Sequence, residues 1–425
     1  MRYALVTETW PPEVNGVALT VQGLAHGLAS RGHAVEVLRP RQPTDNRDEH
    51  GEAALATLLL PGAALPRYPG LRFGLPATGT LVRHWRSHRP DAVYVATEGP
   101  LGWSALRAAT RLRIPVATGF HTRFDRYMRD YGMPWLEGTA LAWMRRFHNR
   151  ADATVVPTTE LAQQLQAAGF GHITRLARAV DTGVLSPQLR ESGLRASWGA
   201  GPDTLVAIHV GRIAAEKNLD LAVRAFRQLQ ARQPDARMVW VGDGPARAAL
   251  QRDNPDFVFC GVRRGTDLAR HFASGDLFLF PSRSETFGNV TLEAMASAVP
   301  VVAFDSGAAR EHLRDGVHGA LVMDDQEFIT ASAALARQGI RQKCQRLLIH
   351  WALQQGGQKA LAGYFQVKGF FFWVQQLVHL AHQVHIPRQE YKLCPRYSRA
   401  LSMQPGGKAN RQRAKQLCPQ RSTGT

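Results

Sequence analysis

Short apolar runs recur along the first part of the chain at 2–6, 34–38, 92–96, 115–118 and 153–156. Between them the apolar positions fall at helical spacing, as from Val17 to Ser30 and from Leu101 to Leu112. Strands that alternate with helices predict a parallel sheet covered on both faces. A second series follows at 205–210, 237–241, 257–260, 277–280 and 300–304, with helical stretches between, notably Leu219 to Gln230 and Asn289 to Ser297. The pattern predicts an α/β chain of two doubly wound, Rossmann-like units. Ala179-Val180-Asp181-Thr182-Gly183 and Ser186-Pro187 lead into a polar stretch ending at Gly199-Ala200-Gly201-Pro202, which reads as a linker and places the boundary near residue 185. Two such units facing each other leave a cleft at the carboxyl ends of their strands, where open α/β sheets bind ligands.

Composition narrows the setting. With 425 residues, 44% of them hydrophobic, the chain is long enough for two cores of ordinary size. The apolar run after Met1 is too short for a secretory signal, and no stretch reaches the length of a membrane-spanning helix. The four cysteines, Cys260, Cys344, Cys394 and Cys418, follow neither zinc nor disulfide spacing, so a reducing cytoplasm is expected. A formal charge of +18 suggests a polyanionic partner, but its placement argues otherwise. Residues 337–425 hold 15 Lys or Arg against one acid, Glu390, so the body of the chain is only mildly basic.

Three segments carry candidate chemistry. After the first strand, Pro11-Pro12-Glu13-Val14-Asn15-Gly16-Val17 places a glycine at a helix start, where backbone amides approach an anion or simply make the turn. In the second unit Arg212 and Lys217 flank one strand-end loop, Gly211-Arg212 to Glu216-Lys217-Asn218, as diphosphate ligands or as a solvated basic loop. The third segment, Phe280-Pro281-Ser282-Arg283-Ser284-Glu285-Thr286-Phe287-Gly288-Asn289-Val290-Thr291-Leu292-Glu293, sets one carboxylate in a loop and another in the first turns of an apolar helix. A buried carboxylate needs partners, which the vicinal hydroxyls of a ribose supply. The plainer reading is a surface acid and a helix-start acid.

Taken in order, these motifs resemble retaining glycosyltransferases of family four, which have the two-domain GT-B architecture. The resemblance also rests on Gly119-Phe120-His121-Thr122, Arg178-Ala179-Val180-Asp181-Thr182, Gly242-Asp243-Gly244-Pro245, Pro300-Val301-Val302-Ala303 and Asp315-Gly316-Val317-His318-Gly319, and covers roughly residues 1–335. It implies an acceptor-binding domain at 1–185, a nucleotide-sugar domain at 186–340 and a crossover helix at 341–366. It implies that Gly16 and Gly242 border the donor, that Arg212 and Lys217 neutralise its diphosphate, and that Glu293 holds the ribose. Glu285 meets the transferred sugar, the backbone of Phe287, Gly288, Asn289 and Val290 meets sugar and phosphate, and His121 faces the sugar from the acceptor side. The family's scheme names no protein nucleophile: the leaving diphosphate helps deprotonate the acceptor. It requires no metal, and no Asp-x-Asp motif is placed to hold one. Family members often carry Asn-Gly where Arg178-Ala179 stands and glycine where Ala298 stands.

The expected reaction moves a hexose from a GDP-mannose or UDP-glucose type donor to a lipid or saccharide acceptor, with retention. A non-hydrolysing nucleotide-sugar epimerase shares the cleft but needs acid–base residues around the sugar C2. A basic nucleic-acid-binding protein is the alternative drawn from total charge, and no specific nucleic acid is expected. Residues 123–150 interleave Arg123, Arg126, Arg129, Arg145, Arg146 and Arg150 with Phe124, Tyr127, Tyr131, Trp135, Leu141, Trp143 and Phe147. That pattern fits peripheral contact with an anionic membrane, at its inner face, or an amphipathic helix packed into the core. Residues 367–425 form an atypical basic tail, expected to be poorly ordered, whose near lack of acids is what a reading-frame shift or gene-end error produces.

Overall fold

The alternation of strands and helices folds into two parallel sheets within one compact unit. The computed structural model describes residues 1–13, 15–46, 55–64, 72–125, 133–176, 178, 180–283 and 285–336. The expected crossover helix at 341–366 and the basic tail at 367–425 lie outside the described residues.

The chain contributes β1 (Arg2–Val6), β2 (Ala34–Pro40), β3 (Ala56–Leu60), β4 (Gly62–Ala64), β5 (Arg72–Gly74), β6 (Ala92–Val95), β7 (Val116–Gly119), β8 (Ala153–Val156) and β9 (Ile173–Arg175) to its first part. Seven of these form one parallel sheet in the order β3-β2-β1-β6-β7-β8-β9, while β4 and β5 pair antiparallel. The second sheet comprises β10 (Val206–Val210), β11 (Arg237–Val241), β12 (Val258–Gly261), β13 (Leu277–Phe280), β14 (Val301–Phe304) and β15 (Gly319–Val322). Its order is β12-β11-β10-β13-β14-β15. In both sheets the chain winds outward from a central strand and then reverses to its other side. The reversal opens crevices after β1 and β6, and after β10 and β13.

Continuous apolar strands follow from burial on both faces. All residues of β10, β13 and β14 are buried, and Trp240 of β11 is fully enclosed. The helix Leu219–Gln230 covers one face with Leu219, Ala222, Ala225, Phe226 and Leu229, a stripe spaced three and four apart. Burying Phe226 removes a large ring from water, worth about 2 kcal/mol, and Phe226→Ala would cost about 3–5 kcal/mol once the cavity is counted.

The polar stretch read as a linker is not free chain. Val180, Leu185, Trp198 and Ala200 join the core of the second sheet. Arg195 is buried because its guanidinium pairs with Asp276 and donates to the carbonyls of Ser274, Gly201 and Thr204. The sequence pattern also passed over β3, β9 and β15. The first two are weakly buried edge strands, and β15 opens on a glycine. A Cβ on Gly319 would lie 1.9 Å from the Val301 carbonyl oxygen, so the strand pairing itself demands that residue.

Candidate functional site

The crevice of the second sheet is built by the loops that follow β10 and β13. Leaving β10, the chain turns at Gly211, and Gly242 after β11 packs against it so closely that a Cβ there would lie 1.9 Å from the Gly211 carbonyl oxygen. Gly211 N donates to Val241 O at 2.9 Å and Ile213 N to Asp243 O at 2.9 Å, so the Gly242 loop is a backbone scaffold for the Arg212 loop. Asn218, in the left-handed region at φ 53°, donates to Pro281 O at 3.3 Å and stitches that loop to the one after β13. The stitch brings Lys217 to Glu285, and the two form an ion pair. Arg212 pairs with the buried Glu216. The cations that the sequence left unbalanced at a helix start thus already have carboxylate partners in the chain.

The two acidic residues differ sharply. Burial disfavours the charged form of Glu285, but the Lys217 ammonium, with the Arg178 guanidinium farther off, holds its pKa below the ordinary range. Glu293 is half-buried, and among the described residues no hydrogen-bond donor or cation meets its carboxylate. Burial alone raises its pKa to about 7. It projects from the helix Asn289–Ala296, whose start has no side-chain cap. Gly288 precedes that helix at φ 86°, a conformation natural to glycine. Phe287 is buried, its carbonyl accepts from Ala308 N, and Asn289 keeps a buried Oδ1 without a partner. Val290 is partly exposed beside it.

The crevice of the first sheet presents Gly16 and His121. Asn15 Oδ1 accepts from Val17 N and Ala18 N, which consumes two amides of that helix start. A Cβ at Gly16 meets nothing within 4 Å. His121 lies just past β7, where Tyr94 Oη is 2.8 Å from Nε2 and Arg178 Nη2 is 2.7 Å from Nδ1. Tyr94 and Arg178 were not singled out from the sequence as site residues. Tyr94 is hidden in an apolar strand pattern, and Arg178 was visible as a departure from the family's Asn-Gly.

Contacts also cross between the two sheet systems. Arg264 donates to Pro12 O at 2.7 Å, and Glu311 accepts from Thr159 N at 2.6 Å while pairing with Arg175. Arg310 pairs with Glu160 at 3.1 Å. Arg178 lies 5.5 Å from the Phe287 ring centroid, so one guanidinium touches residues of both crevices.

On the first half, the basic and aromatic segment divides cleanly. From the helix Glu137–His148, Met144, Phe147 and His148 enter the core, whereas Trp143 is 53% exposed and Trp135, just before the helix, is 75% exposed. Arg145, Arg146 and Arg150 are exposed as well, Arg150 over the Trp103 ring and Arg145 donating to Ala168 O. Arg126, Arg129, Tyr127 and Tyr131 lie outside the described residues. No described helix is long and apolar enough to cross a membrane.

Two doubly wound halves, with a strand-end cleft carrying Arg212, Lys217, Glu285 and Glu293, define a glycosyltransferase of the GT-B class. The sequence model described as Glycosyltransferase Family 4 matches residues 14–184, and that described as Glycosyl transferases group 1 matches residues 204–338. A GDP-mannose-dependent alpha-mannosyltransferase of Mycobacterium tuberculosis is 35% identical over 312 residues, covering 73% of this chain and 81% of that protein. A GDP-mannose-dependent alpha-mannosyltransferase of Corynebacterium glutamicum is 31% identical over 373 residues, covering 83% of this chain and 89% of the other. The crystal structure of Anabaena Alr3699/HepE in complex with UDP superposes with a TM-score of 0.67 at 18% identity, covering 90% of this chain and all of that one, which supports the fold. The chain belongs to glycosyltransferase family 4.

Proposed function

We propose that this enzyme transfers a mannosyl unit from GDP-mannose to a lipid or saccharide acceptor with retention of anomeric configuration. The observation that carries the donor site is Glu293, a half-buried carboxylate without a partner among the described residues, one helical turn from an uncapped helix start. Ribose hydroxyls satisfy the first and phosphate oxygens the second. The choice of GDP-mannose over UDP-glucose rests on the GDP-mannose-dependent relatives.

In this reading Arg212 and Lys217 take the diphosphate, and Gly16 lets backbone approach it from the opposite half. Their charge stabilises the departing phosphate, whose oxygen accepts the acceptor proton on the same face of the sugar. Glu285 positions the transferred sugar, and His121 meets it from the acceptor side. The phosphate charge is met by side chains, so turnover is expected to survive chelation with EDTA. The outward Trp135 and Trp143 with Arg145, Arg146 and Arg150 suit an anionic bilayer from which a lipid acceptor is taken.

A screen for nucleotide release with GDP-mannose, UDP-glucose, UDP-galactose and UDP-glucuronate tests the donor, and NMR of the product gives the anomeric configuration. GDP-mannose should be preferred, and Glu293→Ala and Lys217→Ala should lose turnover while staying folded. Preference for a UDP-sugar overturns the donor assignment, and full activity in either variant overturns the site.

A further inference from the structure

Arg178 occupies a position that the donor reading leaves without a task. It is partly buried after β9, yet it reaches His121 of the first half and the Phe287 ring of the second. We propose that Arg178 is the positioning residue of the cleft: its donation to His121 Nδ1 holds the imidazole as the neutral Nε2–H tautomer. The proposal rests on the donor-site reading only for its effect on turnover.

The argument is one of valence. A guanidinium has donors and no acceptor, so at 2.7 Å from Arg178 Nη2 the Nδ1 atom of His121 must offer its lone pair. A neutral ring with an unprotonated Nδ1 carries its proton on Nε2. That proton points at Tyr94 Oη, 2.8 Å away, which accepts it and keeps its own O–H to donate onward. The ring is therefore a fixed donor rather than a base. Protonating Nδ1 would set an N–H against an N–H and a second positive charge beside the guanidinium.

The surroundings reinforce this choice. Burial, Arg178 and His148 each oppose the charged ring and hold its pKa well below the ordinary value. Tyr94 faces it from β6, His148 from the helix Glu137–His148, with Glu98 beyond, and Glu285 acts on Arg178 from the second half. Arg178 is held in place by the Phe287 ring, whose backbone in turn precedes the uncapped helix start. The bridge thus sets the orientation of His121 relative to the loop assigned to sugar and phosphate.

The test is ¹⁵N NMR of the imidazole rings of the full chain, with His121 assigned by its absence in His121→Gln, alongside nucleotide-release kinetics. In the unsubstituted protein His121 should show the Nε2–H tautomer and no titration between pH 5 and 8. Arg178→Met, which keeps volume against Phe287, should mix the tautomers, let the ring titrate nearer 6.5 and lower kcat about tenfold or more, with a smaller change in donor KM. Arg178→Lys, which keeps a donor, should recover part of both signals. Tyr94→Phe is the companion variant: the Nε2–H tautomer should persist, because Arg178 fixes it. A titrating His121 in the unsubstituted protein, an unchanged tautomer in Arg178→Met, loss of the tautomer in Tyr94→Phe, or unchanged kcat with the tautomer lost would each overturn the proposal. A protein that gives the expected spectra but turns over no donor would fail the functional reading instead.

Discussion

Replacing Glu293 by glutamine should make the free protein more stable and the enzyme inactive. The carboxylate is half-buried with no partner among the described residues, and its pKa is raised from 4.5 to about 7. A carboxyl whose folded pKa lies above its unfolded one destabilises the fold when ionised. That penalty is fully present above pH 7 and fades as pH falls toward 4.5, where both states hold the proton. The gap between 4.5 and about 7, at about 1.36 kcal/mol per pH unit, corresponds to about 3 kcal/mol. Partial solvent access brings this down to about 1–2 kcal/mol.

Glutamine keeps the shape and the hydrogen-bonding capacity without the charge. Glu293→Gln should therefore raise Tm by roughly 1–3 °C at pH 8, with the gain shrinking steadily toward pH 5. Activity should fall at least about tenfold, because hydrogen bonds from ribose hydroxyls to a charged acceptor are worth about 1.5–3 kcal/mol. Thermal melts from pH 5 to 8, with and without GDP, separate the two effects. GDP should stabilise the unsubstituted protein more than the variant, since stabilisation follows affinity for the folded state. An equal gain at pH 5 and pH 8, or none at pH 8, would refute the reasoning, because the charge would then not be what burial disfavours.

Four further outcomes follow from packing and charge. Gly16→Ala should leave stability within about 1 kcal/mol of the unsubstituted protein, since its Cβ meets nothing, yet raise donor KM; Gly242→Ala should unfold the protein or lower Tm sharply, because its Cβ would strike the Gly211 carbonyl. Glu311→Ala removes a carboxylate that caps Thr159 N and pairs with Arg175, and should lower Tm by a few degrees and increase the radius of gyration in X-ray scattering; an unchanged profile would show that the contact does not hold the halves. Trp135→Ala with Trp143→Ala should weaken sedimentation with phosphatidylglycerol vesicles while leaving the release of GDP from GDP-mannose by water unaltered, and unchanged vesicle binding would remove that surface from the membrane reading.

The sheets were legible wherever both faces of a strand are buried. β1, β8, β11 and β13 fall on the expected segments because an uninterrupted apolar run has few other uses. Edge strands such as β9 escaped, since a half-exposed strand carries no such signature. The site was legible as motifs but not as partners. Spacing suggested that Arg212 and Lys217 await an anion; it could not reveal that Glu216 and Glu285 lie beside them, because one partner is brought back by the fold of the same irregular loop and the other comes from a loop 68 residues on. Arg195 looked like part of a polar linker for the same reason, its acceptors being backbone carbonyls that no side-chain pattern records.

The pairing of Lys217 with Glu285 gives the cleft an energetic problem that donor binding has to resolve. If the ammonium turns to the diphosphate, Glu285 loses its nearest counter-charge while remaining partly buried, and burial then favours its protonation. A protonated Glu285 would be a poor acceptor for sugar hydroxyls. Arg178 lies close enough to contribute to the ionisation of Glu285, and it is anchored by Phe287 and His121 rather than by a carboxylate of its own. It can therefore keep Glu285 charged while Lys217 moves. If Glu285 serves the transferred sugar as proposed, loss of Arg178 should raise the pH at which activity falls away on the acid side.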